Sequence, residues 1–135
     1  MILNAEDKIL GRLASHIAQE ALKGKEVHVI NAEKAVITGK KREIIQKYKD
    51  KREKGSHSTG PHFPRLPEKI VKRTARGMLP YKKSRGRQAF KNIKCYVGVP
   101  NDINEDDAED VEEIHIIQRK SRFITVQNVS EELKT

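Results

Sequence analysis

Thr38-Gly39-Lys40-Lys41 is the nearest this sequence comes to a loop that could cradle a nucleotide's phosphates, and it fails at both ends. Lys34 stands where a P-loop wants its first glycine, and Lys41 stands where a Ser or Thr must reach magnesium. The dinucleotide fingerprint Gly-x-Gly-x-x-Gly does not occur either. His57 and His62 lie five apart in a Pro/Gly-rich stretch, but two nitrogens make half of a tetrahedral zinc site, and Cys95, the sole cysteine, is far away in sequence. Ser56, His57 and Ser58 adjoin one another, whereas catalytic Ser-His pairs arise from geometry rather than from neighbouring positions. The run NDINEDDAEDVEE (101–113) holds eight acids and no base. Like charges strung along a loop do not hold two carboxyls at fixed separation with split pKa values, and no Asp-x-Asp-x-Asp-Gly calcium loop is present. Catalytic residues, metal ligands and cofactor contacts are therefore all expected to be none.

Binding of a polyanion is the chemistry that remains. RGMLPYKKSRGRQAF (76–90) carries Arg76, Lys82, Lys83, Arg85 and Arg87 and no acid. Residues 40–94 as a whole carry nineteen Lys/Arg against four Asp/Glu, while 1–39 are balanced at five against five and 95–135 are acidic at four against ten. A merely solubilising surface intersperses the signs, so this polarity points to a nucleic acid. Three basic segments are coupled to Gly/Pro joints that let backbone approach backbone. Their candidate RNA contacts are Lys40, Lys41, Arg42, Lys47, Lys49 and Arg52 in the first; Arg65, Arg73 and Arg76 in the second; Lys82, Lys83, Arg85, Arg87 and Lys91 in the third. Arginine's planar fork bonds two phosphate oxygens and stacks on bases, whereas lysine offers a point charge. No helix-turn-helix, zinc finger or basic zipper is legible, and aromatics for base stacking are few (Phe63, Tyr81, Phe90). A folded RNA read by backbone and shape fits best. An RNA-processing enzyme on an α/β core and a free RNA-binding regulator are the alternatives.

The elements that must position these groups follow from periodicity. Ile2-Leu3 makes a short apolar start; Ile9, Leu10, Leu13, Ala14, Ile17, Ala18, Ala21 and Leu22 recur on one helical face, with Gly24 placed to end the helix. Val27, Val29 and Ile30 read as a strand and Val36-Ile37 as a further apolar patch, so the first forty residues outline a βαβ unit of an α/β domain. Lys40 to Lys54 is helical with a thin apolar stripe of Ile44, Ile45 and Tyr48. GSHSTGPHFPRLP (55–67), with three prolines and two glycines, predicts no regular element. Pro67 opens a helix bearing Ile70, Val71, Thr74, Ala75 and Met78; a short helix covers Ser84 to Asn92 with Ala89, Phe90 and Ile93 inward; Cys95, Tyr96 and Val97 read as a strand. The acidic run reads as a solvated loop. Ile114, Ile116, Ile117, Phe123, Ile124 and Val126 read as strand material, and Ser130 as the cap of a last turn at Glu131 to Leu133.

At 135 residues, 36% hydrophobic and without Trp, the chain is expected to form one domain with a small core and an ionic surface. A lone cysteine fits a reducing cytosol, and no stretch approaches the roughly 18 apolar residues of a membrane helix, so a soluble intracellular protein is expected.

Particular words then matter: GRLASHIA (11–18), VINAEKAVITGKK (29–41), QKYK (46–49), Gly60-Pro61, RGMLP (76–80) and RGRQAFKNIKCYVGVP (85–100). In this order and spacing they resemble the universal large-subunit ribosomal protein thirteen family in its archaeal and eukaryotic-like form, over residues 2 to 100. The carboxy-terminal third departs more freely. The resemblance implies a three-layer α/β fold, its mainly parallel central sheet of about four strands carrying basic extensions and loops. It implies a cytoplasmic, non-catalytic structural part of the large ribosomal subunit, whose partners are large-subunit ribosomal RNA and neighbouring ribosomal proteins, with no membrane and no small-molecule substrate. It places RNA contacts on Lys40, Lys41, Arg42, Lys47, Lys49, Arg76, Lys82, Lys83, Arg85 and Arg87, and casts Gly11 and Asn31 as structural positions at turns near the sheet edge. Met78-Leu79-Pro80 is expected to anchor the basic loop on the core.

Overall fold

A computed structural model of the chain describes residues 1–53, 64–109 and 122–133. In chain order its elements are β1 (Ile2–Asn4), α1 (Leu10–Leu22), β2 (Val27–Ile30), β3 (Val36–Thr38), α2 (Lys41–Glu53), α3 (Pro67–Gly77), α4 (Ser84–Lys91), β4 (Ile93–Cys95), β5 (Phe123–Thr125) and α5 (Val126–Leu133). The fold is α/β. β2 lies between β1 and β4 and is parallel to both, Leu3 facing Val29 and Val27 facing Ile93 across the ladders. β3 pairs instead with β5, antiparallel, Thr38 against Phe123.

Each element has a local cause. Strands buried on both sides are apolar throughout, and Val27, Val29 and Ile30 of β2 are wholly buried. On α1 the residues Leu10, Leu13, Ala14, Ile17, Ala18 and Ala21 form the buried face. Past its end Gly24, at φ +91°, donates its N–H to the Ala21 carbonyl at 3.0 Å, closing the helix in the left-handed conformation that glycine adopts without steric cost. Pro67 opens α3. Among the described side chains α2 buries Ile44 and Tyr48 and packs Ile45 against the core, so the basic face between them points outward. One core unites these pieces: α1 packs on α3 and α4, α5 packs on α2 and α3, and Leu3, Ile17, Val29, Ile70, Ile93 and Val129 belong to a single buried cluster.

The structure departs from the sequence reading in several places. The parallel sheet has three strands among the described residues rather than about four, because Val36–Thr38 turns away from β2 through Asn31 (φ +56°) and a 3-10 turn at Ala32–Lys34. Asn31 does serve a turn: its Nδ2 donates to Asn4 Oδ1 at 3.1 Å. Gly11 does not, since it sits exposed inside the first turn of α1. The strand expected at Cys95 to Val97 begins at Ile93, whose side chain is fully buried opposite Val27. Val126 belongs to α5, not to a strand, and Ser130 lies inside that helix rather than capping it. Thr125 is the residue that caps α5, its Oγ1 accepting from the Asn128 N–H at 3.2 Å.

Glu109 joins the free edge of β1: its N–H donates to the Ile2 carbonyl at 2.8 Å and its carbonyl accepts from the Asn4 N–H at 3.3 Å. The stretch before it, including Glu105, Asp106 and Asp107, is exposed. The expected irregular segment up to Phe63, with Ser56, His57 and His62, and the apolar positions Ile114, Ile116 and Ile117 lie outside the described residues. Among the described residues no helix is long and apolar enough to cross a membrane.

Buried Ser130 Oγ donates to the Arg65 carbonyl at 2.6 Å, tying α5 to the segment that enters α3. Ser130→Ala leaves that carbonyl without its donor, and the expected loss is about 1–2 kcal/mol in urea unfolding. An unchanged midpoint would show that the bond contributes nothing net.

Candidate nucleic-acid interface

The stretch after α3 is held from inside while its charges point out. Leu79 is buried, but Met78, the C-cap of α3, is 44% exposed and does not anchor the loop as expected, because the helix ends one residue earlier and turns it outward. Leu79, a member of the core cluster, does anchor it, and ring contacts add to its hold. The Arg76 guanidinium lies 4.0 Å from the Tyr81 ring centre, Tyr81 meets Phe90 edge-on at 5.5 Å, and the Lys72 ammonium stands 4.9 Å over Phe90. Phe90 itself packs against the core. Buried Gly86 lies directly against the Pro80 carbonyl, which also accepts the Lys83 N–H at 2.9 Å. Arg87 Nη1 donates to the Lys82 carbonyl at 3.0 Å. Lys82 and Lys83 are left exposed on the loop, and Arg85 and Arg87 on α4 beside it.

At the other end of the basic region, pairing of β3 with β5 and a 2.9 Å hydrogen bond from the Gly39 N–H to the Arg122 carbonyl bring Arg122 and Phe123 beside Lys40, Lys41 and Arg42. From this depression a groove continues along α2 past Arg42, Lys47 and Lys51. It enters a cleft between α1, α2 and α3 that Lys47 and Lys51 share with Arg12 and Arg73. Arg73 in turn lines the next hollow with Arg76, Lys82 and Lys83. Shared lining residues thus join four depressions into one cationic track from Arg122 to Lys83, and Glu43 and Asp50 are the carboxylates along it. Asp50 accepts a hydrogen bond from Gln46 Nε2 at 2.9 Å.

The candidate contacts along the track are not neutralised by the rest of the described chain. Glu20 and Glu26 pair with Lys23, Lys25, His28 and Lys94, none of which is a candidate contact. Hydrogen bonds from the Lys25 and Lys23 ammonium groups hold the Glu20 carboxyl below the usual carboxylate range. Among the described residues no ion pair with an acid engages Lys40, Lys41, Arg42, Lys47, Lys49, Arg65, Arg73, Arg76, Lys82, Lys83, Arg85, Arg87 or Lys91. Lys49, Arg65 and Lys91 lie off the track, and Arg85 and Arg87 project from α4 beside its end. Arg52 is in the last turn of α2, and its side chain lies outside the described residues.

Arg12, Lys51 and Arg122 line the track but are not among the sequence candidates. Arg12 sits in a balanced segment and Arg122 arrives only through long-range strand pairing. Lys51 was legible as charge but was not among the candidates. Burial pushes the Cys95 thiol up to about 12, so it offers no thiolate at neutral pH. Among the described residues no group of three or more His, Cys, Asp or Glu could hold a metal ion.

The sequence profile of the family described as ribosomal protein L13 matches residues 1–102. A large ribosomal subunit protein uL13 from Archaeoglobus fulgidus is 44% identical over 131 residues, covering 96% of this chain and 84% of that protein. Its counterpart from Methanocaldococcus jannaschii is 44% identical over 136 residues, with 98% and 96% covered, and that from Methanosarcina barkeri is 41% identical over 134 residues with the same coverage. The profile spans every motif from GRLASHIA to the Pro100 that ends RGRQAFKNIKCYVGVP, and the relatives extend the likeness through the carboxy-terminal third. On both grounds this chain belongs to the ribosomal protein L13 family, whose members are parts of the ribosome and not enzymes.

Proposed function

We propose that the chain is a structural constituent of the large ribosomal subunit, working in the cytoplasm, where it binds large-subunit ribosomal RNA through backbone phosphates and supports subunit assembly and translation. The observation that carries this reading is the cationic track of adjoining depressions, whose candidate contacts form no ion pair among the described residues, built from α1, α2, α3, the loop after α3 and the start of β5. Its relatives are large ribosomal subunit proteins, and they supply the particle in this reading. In this reading the chain acts as one domain. Residues 40–94 supply its RNA-facing side, with Lys40, Lys41, Arg42, Lys47, Lys49, Arg52, Arg65, Arg73, Arg76, Lys82, Lys83, Arg85, Arg87 and Lys91 as contacts, and the acidic stretch 101–113 takes no part in RNA binding. Other large-subunit proteins are its neighbours.

A phosphate-dominated interface has a measurable signature. If eight to ten of these cations each displace counterions, the logarithm of the binding constant for large-subunit ribosomal RNA falls with the logarithm of salt at a slope of about −6 to −9. Filter binding between about 0.1 and 0.5 M potassium chloride measures the slope. Tagged chain expressed in archaeal cells should also sediment with large subunits. A slope shallower than about −2, or sedimentation away from large subunits, refutes the proposal.

A further inference from the structure

The cleft where α1, α2 and α3 meet differs in kind from the rest of the track. Its volume is about 820 Å³, inside the roughly 300–1,000 Å³ range of clefts that take a small molecule. Its floor is apolar, with Ile9, Leu10 and Ile37, while Arg12, Lys47, Lys51 and Arg73 stand around it, and among the described residues no carboxylate lines it. Two further lining residues are glycines in helices, Gly11 in the first turn of α1 and Gly77 at the end of α3. A Cβ at either would meet nothing within 4 Å, and neither has a positive φ. Nothing in the described fold therefore requires glycine at these points, although glycine in a helix is less favourable than alanine. Two bare positions on the wall of one cleft leave its space open.

On the reading that the track binds ribosomal RNA, we infer that this cleft is the seat of one unpaired nucleotide extruded from that RNA. The base rests on the apolar floor between Gly11 and Gly77, and the flanking phosphates meet Arg12, Lys47 and Arg73. An A-form duplex keeps its bases stacked and its major groove too narrow for side chains, so only a loop or bulge can deliver a base to such a floor. A ring of cations without a carboxylate complements a nucleotide's phosphates, whereas an apolar side chain from a neighbouring protein would need no such ring.

Gly11→Leu fills the cleft from an exposed helix position and changes no charge. Its affinity for large-subunit ribosomal RNA should fall about 5- to 100-fold, the span of one lost base contact, while the salt slope changes by no more than about one contact's worth. The wild-type chain should protect the base edge of at least one unpaired nucleotide from chemical modification, and the variant should leave it reactive. The isolated Gly11→Ala protein should melt about 1–4 °C higher than wild type, since alanine restricts the unfolded chain at a position whose conformation it tolerates. If Gly11→Leu fails to fold, Gly77→Ala replaces it, with the same protection readout and a weaker effect. Wild-type binding without any loss in the variant overturns the seat but not the RNA reading, whereas absent salt-dependent binding by wild type overturns both. Normal RNA binding by the variant together with poor incorporation into subunits assigns the cleft to a protein neighbour and likewise overturns the inference.

Discussion

The double variant Lys83→Glu/Arg85→Glu is expected to bind large-subunit ribosomal RNA at least roughly 30-fold more weakly than wild type at about 0.1 M salt. It should nevertheless melt no earlier. Both side chains are exposed, and neither has a hydrogen bond or ion pair among the described residues. Each phosphate contact contributes about 0.7–0.9 logarithmic units per decade of salt, so losing two accounts for the drop, and the added repulsion deepens it. Stability runs the other way because Lys83 is the N-cap of α4 and Arg85 lies in its first turn, which contains no acid. The positive end of a helix dipole disfavours cations there by about 0.3–1 kcal/mol each, so glutamate relieves an existing conflict. A pair of cations at the wrong end of a helix makes sense when an outside anion supplies the negative charge. Filter binding and thermal unfolding measure the two arms. Affinity within about threefold of wild type would remove α4 from the interface; a melting point many degrees lower would make these charges structural.

The second large effect requires no change of charge. Gly86→Ala places a methyl group on the Pro80 carbonyl and 3.0 Å from the Tyr81 amide nitrogen. All these neighbours are backbone, so no side chain can rotate aside, and overpacking of this kind costs about 3 kcal/mol, at the upper end of its usual range. The expected result is a melting temperature lower by about 10 °C, accompanied by weaker RNA binding, because α4 must shift away from the turn that it holds against Lys82 and Lys83. Unfolding in urea and binding at fixed salt follow the two consequences. A variant as stable as wild type would mean that the loop and α4 adjust freely, and the rigid presentation of the basic loop would have to be abandoned.

The glycine at 86 illustrates how unevenly the fold was legible. Its place in RGRQAF marks a motif, but the reason for glycine is a contact with a carbonyl six residues back, made only when the chain doubles over Pro80. Helices α1 to α4 were readable because each carries its signal locally: three- and four-residue apolar spacing, a proline at the first turn of α3, a glycine after α1. Strand ends were less so. Ile93 suits the inner face of a helix or a strand equally, and its pairing with Val27 decided between them. Ser130 reads as a cap from its type alone, yet its partner is the Arg65 carbonyl, distant in sequence.

By itself, the sequence determined the charge polarity, the α/β class and, through six ordered motifs, the family, because each of these is a property of residues and their neighbours along the chain. Only the tertiary structure decided that the basic segments join into one track, that Arg12 and Arg122 belong to it, and that Gly11 and Gly77 face a common cleft. The physical reason is the same in every case: charge and periodicity act over a few residues, whereas a surface is assembled from elements such as β3 and β5 that meet across more than eighty positions.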